Sequence, residues 1–185
     1  MNNKGFTLIE LLAVVVIIGL IMSIAIPNTV TMIDKHKMNS YLEDARTFSS
    51  MVKSKLRTDR SLEMPETTAT ASIVTLEYLN TSNITKDPYG NEYDKQRSFV
   101  GVILNNGSYE YYVHLVSCKL DSGSCDEGIY SDWRGITVTK VGDLGGDNRY
   151  ELVKSKGAEA DAITKITGYA PFNNKTIYIN GLVSS

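Results

Sequence analysis

The 185-residue sequence predicts an α+β fold, one long N-terminal helix packed on an antiparallel β-sheet. Three observations predict it. An apolar run fills Phe6–Ile26, and an amphipathic pattern with spacings of three and four continues to about Leu56. From Phe99 onward, short branched and alternating segments follow one another with turn signals between them.

The first helix is read as two halves. Residues 6–27 form the apolar half, whose only ionisable side chain is Glu10. At about 1.5 Å per residue, Phe6–Ile26 would be roughly 31 Å long, enough to cross a bilayer core. A carboxylate near the centre of such a span costs about 2.5–3.5 kcal/mol on insertion scales. Glu10 lies nearer one end, so two readings stand: a tolerated interfacial charge, or a carboxylate with a positive partner. Gly19 and Pro27 are the poorest helix formers here, and Pro27 is expected to kink the helix without ending it. Residues 28–57 form the amphipathic half. Met38, Tyr41, Ala45, Phe48 and Val52 make a stripe widened by Leu42, Met51 and Leu56, with charged residues opposite, and the stripe is expected to face a core.

Residues 58–98 are polar, rich in Thr, Ser and Asn, and read as a connecting region with a short helical or strand piece near Ile73–Leu79. Asp87-Pro88-Tyr89-Gly90 has the residue order of a type I turn. Residues 99–185 read as the sheet. Phe99–Leu104 and Tyr109–Val116 flank the hairpin turn Asn105-Asn106-Gly107, and Ile136–Val141, Tyr150–Val153 and Thr176–Leu182 are further strands. No long helix separates them, which predicts antiparallel pairing. Residues 28–185 are expected to be one globular unit, large enough for its own core.

A formal net charge of −2 gives no bulk reason to expect nucleic-acid binding, so that partner stays undetermined. The sequence holds no nucleophile elbow, phosphate-binding glycine loop or metal-ligand cluster, so no catalytic residue, no metal and no cofactor is expected. His114 falls in a strand-like run and reads as a structural residue. Asp143 and Asp147, in the run from Gly142 to Asn148, offer oxygen ligands that calcium could use, but without EF-hand order; a plain surface turn fits equally.

Lys4-Gly5-Phe6-Thr7-Leu8-Ile9-Glu10, with the apolar stretch and Pro27 behind it, resembles the class III signal of type IV pilins and pseudopilins. The resemblance covers about residues 1–57. It implies a leader of residues 1–5, cleavage between Gly5 and Phe6 by a membrane-bound prepilin peptidase, and N-methylation of Phe6 by the same enzyme. The new amine on Phe6 would then stand one helical turn from Glu10. It also implies a single-pass membrane protein with a cytoplasmic N-terminus, later an extracellular pilus subunit serving adhesion or surface motility. Its partners would be other pilin subunits, the peptidase, an assembly platform with its ATPase, and membrane lipids. Glu10, Gly19 and Pro27 are the positions it assigns to assembly.

In the extracellular compartment so implied, the two cysteines Cys118 and Cys125 are expected to form a disulfide. Sixty residues follow Cys125, unlike the C-terminal disulfide of many pilins. Asn80, Asn83, Asn106 and Asn174 begin glycosylation-type triplets, a pattern of little meaning in a bacterial chain. Asp87-Pro88-Tyr89-Gly90-Asn91 is similar to a stretch of secretion pseudopilins, so a pseudopilin of a secretion or DNA-uptake system stays open. A secreted binding domain, cut after the small-x-small triplet Ser23-Ile24-Ala25, is the remaining alternative.

Overall fold

Helix α1 runs continuously from Leu8 to Thr58 in a computed structural model that describes residues 7–118, 134–154 and 163–180, apart from the side chains of 24–30. The chain divides into two compact units, Met1–Lys37 and Met38–Ser185. In the first unit, the apolar side chains from Leu8 to Met22 are all exposed, between 45% and 84%. The membrane-length apolar helix expected from the sequence is not found. Among the described residues no helix is long and apolar enough to cross a membrane.

In the second unit α1 buries Tyr41, Leu42, Ala45, Phe48 and Val52, with Met38, Met51 and Leu56 half-buried beside them. These are the residues of the predicted stripe. The same hydrophobic cluster contains Val74, Val100, Val113, Leu115 and Ile136. Those five come from strands β1 (Thr70–Thr75), β2 (Phe99–Asn105), β3 (Ser108–Ser117) and β4 (Arg134–Lys140). Two short strands, β5 (Val153–Lys154) and β6 (Thr176–Asn180), complete a six-stranded sheet in the order β5-β4-β3-β2-β1-β6.

The sheet is mixed, which corrects the antiparallel expectation. From β1 through β5 each neighbouring pair is antiparallel, but β6 lies parallel to β1, Thr70 opposite Thr176 and Val74 opposite Asn180. A parallel neighbour needs a long connection to return the chain in the same direction. Here that connection carries a second core: Ile163, Ile166 and Phe172 pack with Ala71, Ile73, Phe99 and Ile103. Ala71 and Ile73 alternate with Val74, and Phe99 with Val100, so the two clusters occupy opposite faces. Both faces of the sheet are therefore covered.

The connecting region 58–98 holds both a strand and a helix at the short piece expected near Ile73–Leu79: β1, an interior strand, is followed directly by the one-turn helix α2 (Leu76–Leu79). Every residue of β1 after Thr70 is buried, so a strand covered on both sides lacks the apolar–polar alternation that marks a half-exposed one. Tyr150–Val153 is not a strand. Arg149–Leu152 forms a 3₁₀ turn, and only Val153–Lys154 pairs with β4. The strand expected at Ile136–Val141 ends at Lys140, and Val141 opens another 3₁₀ turn.

The hairpin between β2 and β3 is tighter than the three residues expected. Asn105 pairs with Ser108, leaving Asn106 (φ 48°) and Gly107 (φ 77°) as a two-residue loop. Positive φ at both central positions is the requirement of a type I′ turn, which matches the twist of the flanking strands.

Candidate functional site

Helix α1 begins with a reciprocal cap. Thr7 precedes the first helical residue and Glu10 is the third within the helix. The backbone N–H of Thr7 donates to Glu10 Oε2 at 2.8 Å, and the Thr7 hydroxyl donates to the same oxygen at 2.8 Å. The Glu10 N–H faces Thr7 Oγ1 at 3.4 Å, and the Leu11 N–H closes the first turn on the Thr7 carbonyl at 3.2 Å. This is the capping box, in which Thr and Glu three positions apart satisfy each other's backbone amides. A carboxylate in the first turn also faces the positive end of the helix dipole. Glu10 therefore has partners within its own subunit. The sequence reading set Glu10 against a positive partner, the Phe6 amine one helical turn away, and missed Thr7, although Thr-Leu-Ile-Glu is itself the cap signature.

Around this carboxylate every described apolar side chain is exposed: Leu8, Ile9, Leu11 and Leu12 next to it, and Val14 to Met22 beyond. A helix apolar on all sides is stable only where an apolar environment or other chains enclose it. Gly19 lies within this stretch, with nothing within 4 Å of where a Cβ would stand. Gly5 and Phe6 lie outside the described residues, as does the Pro27 side chain, though the helix passes through position 27.

The remaining candidates sit in the second unit. Cys118 is 5% exposed at the end of β3, where its N–H donates to the Glu92 carbonyl at 2.9 Å. Cys125, the expected partner of Cys118, lies outside the described residues. Asp143 lies in a 3₁₀ turn, its carbonyl accepting from the Gly146 N–H at 3.0 Å. Among the described residues no group of three or more acidic, His or Cys side chains could hold a metal ion, and Asp143 and Asp147 do not form one. His114 is fully buried with its ring 5.2 Å from that of Phe99.

The Asp87 turn is built as the sequence suggests and is more than a surface bend. The Gly90 N–H closes it on the Asp87 carbonyl at 2.9 Å. The Asp87 carboxylate, 4% exposed, accepts from the N–H groups of Tyr89 and Asn91 and, at 2.6 Å, from the Ser117 hydroxyl. The Tyr41 hydroxyl of α1 lies 3.4 Å from Ser117 Oγ and 3.2 Å from the Arg134 carbonyl. Tyr93 donates to Asp44 at 2.7 Å, and burial raises the Asp44 carboxyl above the ordinary range. Helix, turn and strand ends thus share one polar layer, whose buried groups would each cost free energy if left without a partner.

Residues 1–26 match the family model of the prokaryotic N-terminal methylation motif. The match supports a class III signal of the type IV pilin kind, and with it a pilin-like or pseudopilin precursor. The motif implies processing by a prepilin peptidase and assembly with other pilin subunits. No curated protein and no solved structure matches the chain.

Proposed function

We propose that the chain is a type IV pilin: a membrane-anchored prepilin, cut after Gly5, N-methylated at Phe6 and polymerised into an extracellular filament. The observation that carries this reading is a helix start with apolar side chains exposed on every side and one capped carboxylate, within the methylation-motif match. Exposed apolar area on this scale marks a surface meant to be covered. Lipid would cover it in the single subunit, and neighbouring helices in the filament. Glu10 would exchange its Thr7 contacts for the Phe6 amine of a neighbouring subunit, where a charge pair in an apolar core rewards correct register. Gly19 and Pro27 would let the helix extend locally during that transfer. The Cys118–Cys125 bridge would form outside the cell.

The mature N-terminus tests the processing step. Mass spectrometry of native protein should find N-methylphenylalanine at Phe6, and Gly5→Val should abolish it. Electron microscopy with an antibody to this chain tests assembly: wild-type cells should carry labelled filaments, and Glu10→Val cells should carry mature protein without them. Abundant normal filaments from Glu10→Val cells would defeat the charge exchange. A pseudopilin is the second reading, favoured by the built Asp87-Pro88-Tyr89-Gly90-Asn91 turn, and processed protein without surface filaments would select it.

A further inference from the structure

The sequence contains two Asn-Gly pairs, Asn106-Gly107 and Asn180-Gly181. Asn-Gly is the dipeptide in which a backbone amide reaches the preceding side chain with least obstruction, because glycine has no Cβ. On sequence alone the two asparagines are equally exposed to that chemistry. Their surroundings separate them.

Asn180 ends β6, and its side-chain amide donates to the Ile73 carbonyl at 3.2 Å and towards Ser72 Oγ at 3.4 Å. Asn106 stands at the apex of the β2–β3 hairpin, exposed, with Asn105, Gly107, Ser108 and Tyr109 exposed around it. No described group holds its amide, whereas the side chains of Asn39, Asn91 and Asn105 are engaged with Tyr150, Asp87 and Glu110. Open space surrounds Gly107 where a side chain would stand.

We infer that Asn106 is a site of spontaneous deamidation and isoaspartate formation, with water as the only co-reactant. The Gly107 backbone nitrogen, losing its proton to solvent base, attacks Asn106 Cγ and forms the new N–C bond. The bond from Cγ to the side-chain nitrogen then breaks, and ammonia leaves with a proton from water. Water opens the resulting succinimide at either carbonyl, leaving aspartate or isoaspartate. Either product adds a negative charge at the hairpin tip. The isoaspartate also lengthens the backbone inside a two-residue turn that sets seven β2–β3 pairs, from Phe99–His114 to Asn105–Ser108.

The turn residues and the held amide of Asn180 predict an order of reaction. Full-length protein in detergent micelles, incubated in mildly alkaline buffer, should gain the mass of an OH-for-NH2 exchange at Asn106 first. Peptide mapping should put its rate about tenfold or more above that at Asn180, whose reaction must first release an amide held by hydrogen bonds. Enzymatic isoaspartyl methylation with labelled methyl donor should mark the Asn106 peptide. Asn106→Gly keeps a residue that accepts positive φ and should remove most of that label. Equal rates at the two sites, a faster Asn180, or undiminished label in Asn106→Gly would overturn the assignment.

Discussion

Thr7 and Glu10 give the helix its start with two side chains that serve each other. Replacing Thr7 by Ala removes the cap and should cost about 0.5–2 kcal/mol of helix-end stability. Amide exchange of the full chain in micelles should speed at Leu8 to Leu11, and Thr7→Ser should restore protection. Gly101 shows a different single-residue constraint. A Cβ there would lie 2.3 Å from Phe172 Cζ and 2.9 Å from Ile73 Cδ1, so the ring occupies the space a side chain would need. Phe172 is fully buried and meets Tyr112 edge to face at 5.8 Å between ring centroids. Gly101→Ala should therefore destabilise by roughly 1–3 kcal/mol through overpacking. Thermal unfolding of Gly101→Ala with and without Phe172→Leu should be non-additive, since the second change removes the obstructing ring.

Among the elements, the Asp87 turn and the β3–β4 rung can be tested separately. Asp87→Ala leaves the Tyr89 and Asn91 amides and the Ser117 hydroxyl to find other acceptors. The loss should be about 1–3 kcal/mol, read as a shifted denaturant midpoint with unchanged slope. On the other face, Glu110 accepts from Lys140 Nζ at 2.7 Å and from the Tyr112 hydroxyl at 2.9 Å. Lys140 first, then Tyr112, lowers the Glu110 carboxyl below its ordinary value of 4.5. A depressed carboxyl contributes stability that is full above its unfolded value and is lost as pH falls through the folded one. Wild-type protein should lose stability below about pH 4.5 more steeply than Glu110→Gln, a difference that salt should shrink because the pair is solvent-accessible. Parallel acid titrations followed by circular dichroism would measure it.

For the whole molecule, two units with opposite surfaces imply a division of labour. The first described unit leaves its apolar side chains exposed, whereas the second buries its own in two clusters on opposite sheet faces. A chain beginning at about Asn28 removes the apolar stretch and should be soluble, monomeric and cooperatively folded. Sedimentation and a single unfolding transition would check this, and self-association or membrane binding would contradict it.

Sequence alone determined the features that depend on local pattern. The motif around Gly5, Phe6 and Glu10 is contiguous, the buried stripe of α1 follows helical spacing, and Asn106-Gly107 demands positive φ. The turn at Asp87 was likewise legible, because Asp, Pro and Gly each have a fixed place in it. Tertiary structure decided what long-range contact controls. β1 becomes an interior strand because β2 and β6 flank it, and a segment buried on both faces carries no alternation. β6 pairs parallel with β1, and Ile163, Ile166 and Phe172 of the chain before it find their burial on the sheet face opposite the helix cluster, with Gly101 leaving room for the ring. The same kind of contact tells Asn106 from Asn180: both precede glycine in the sequence, but only one has its amide held by a neighbouring strand.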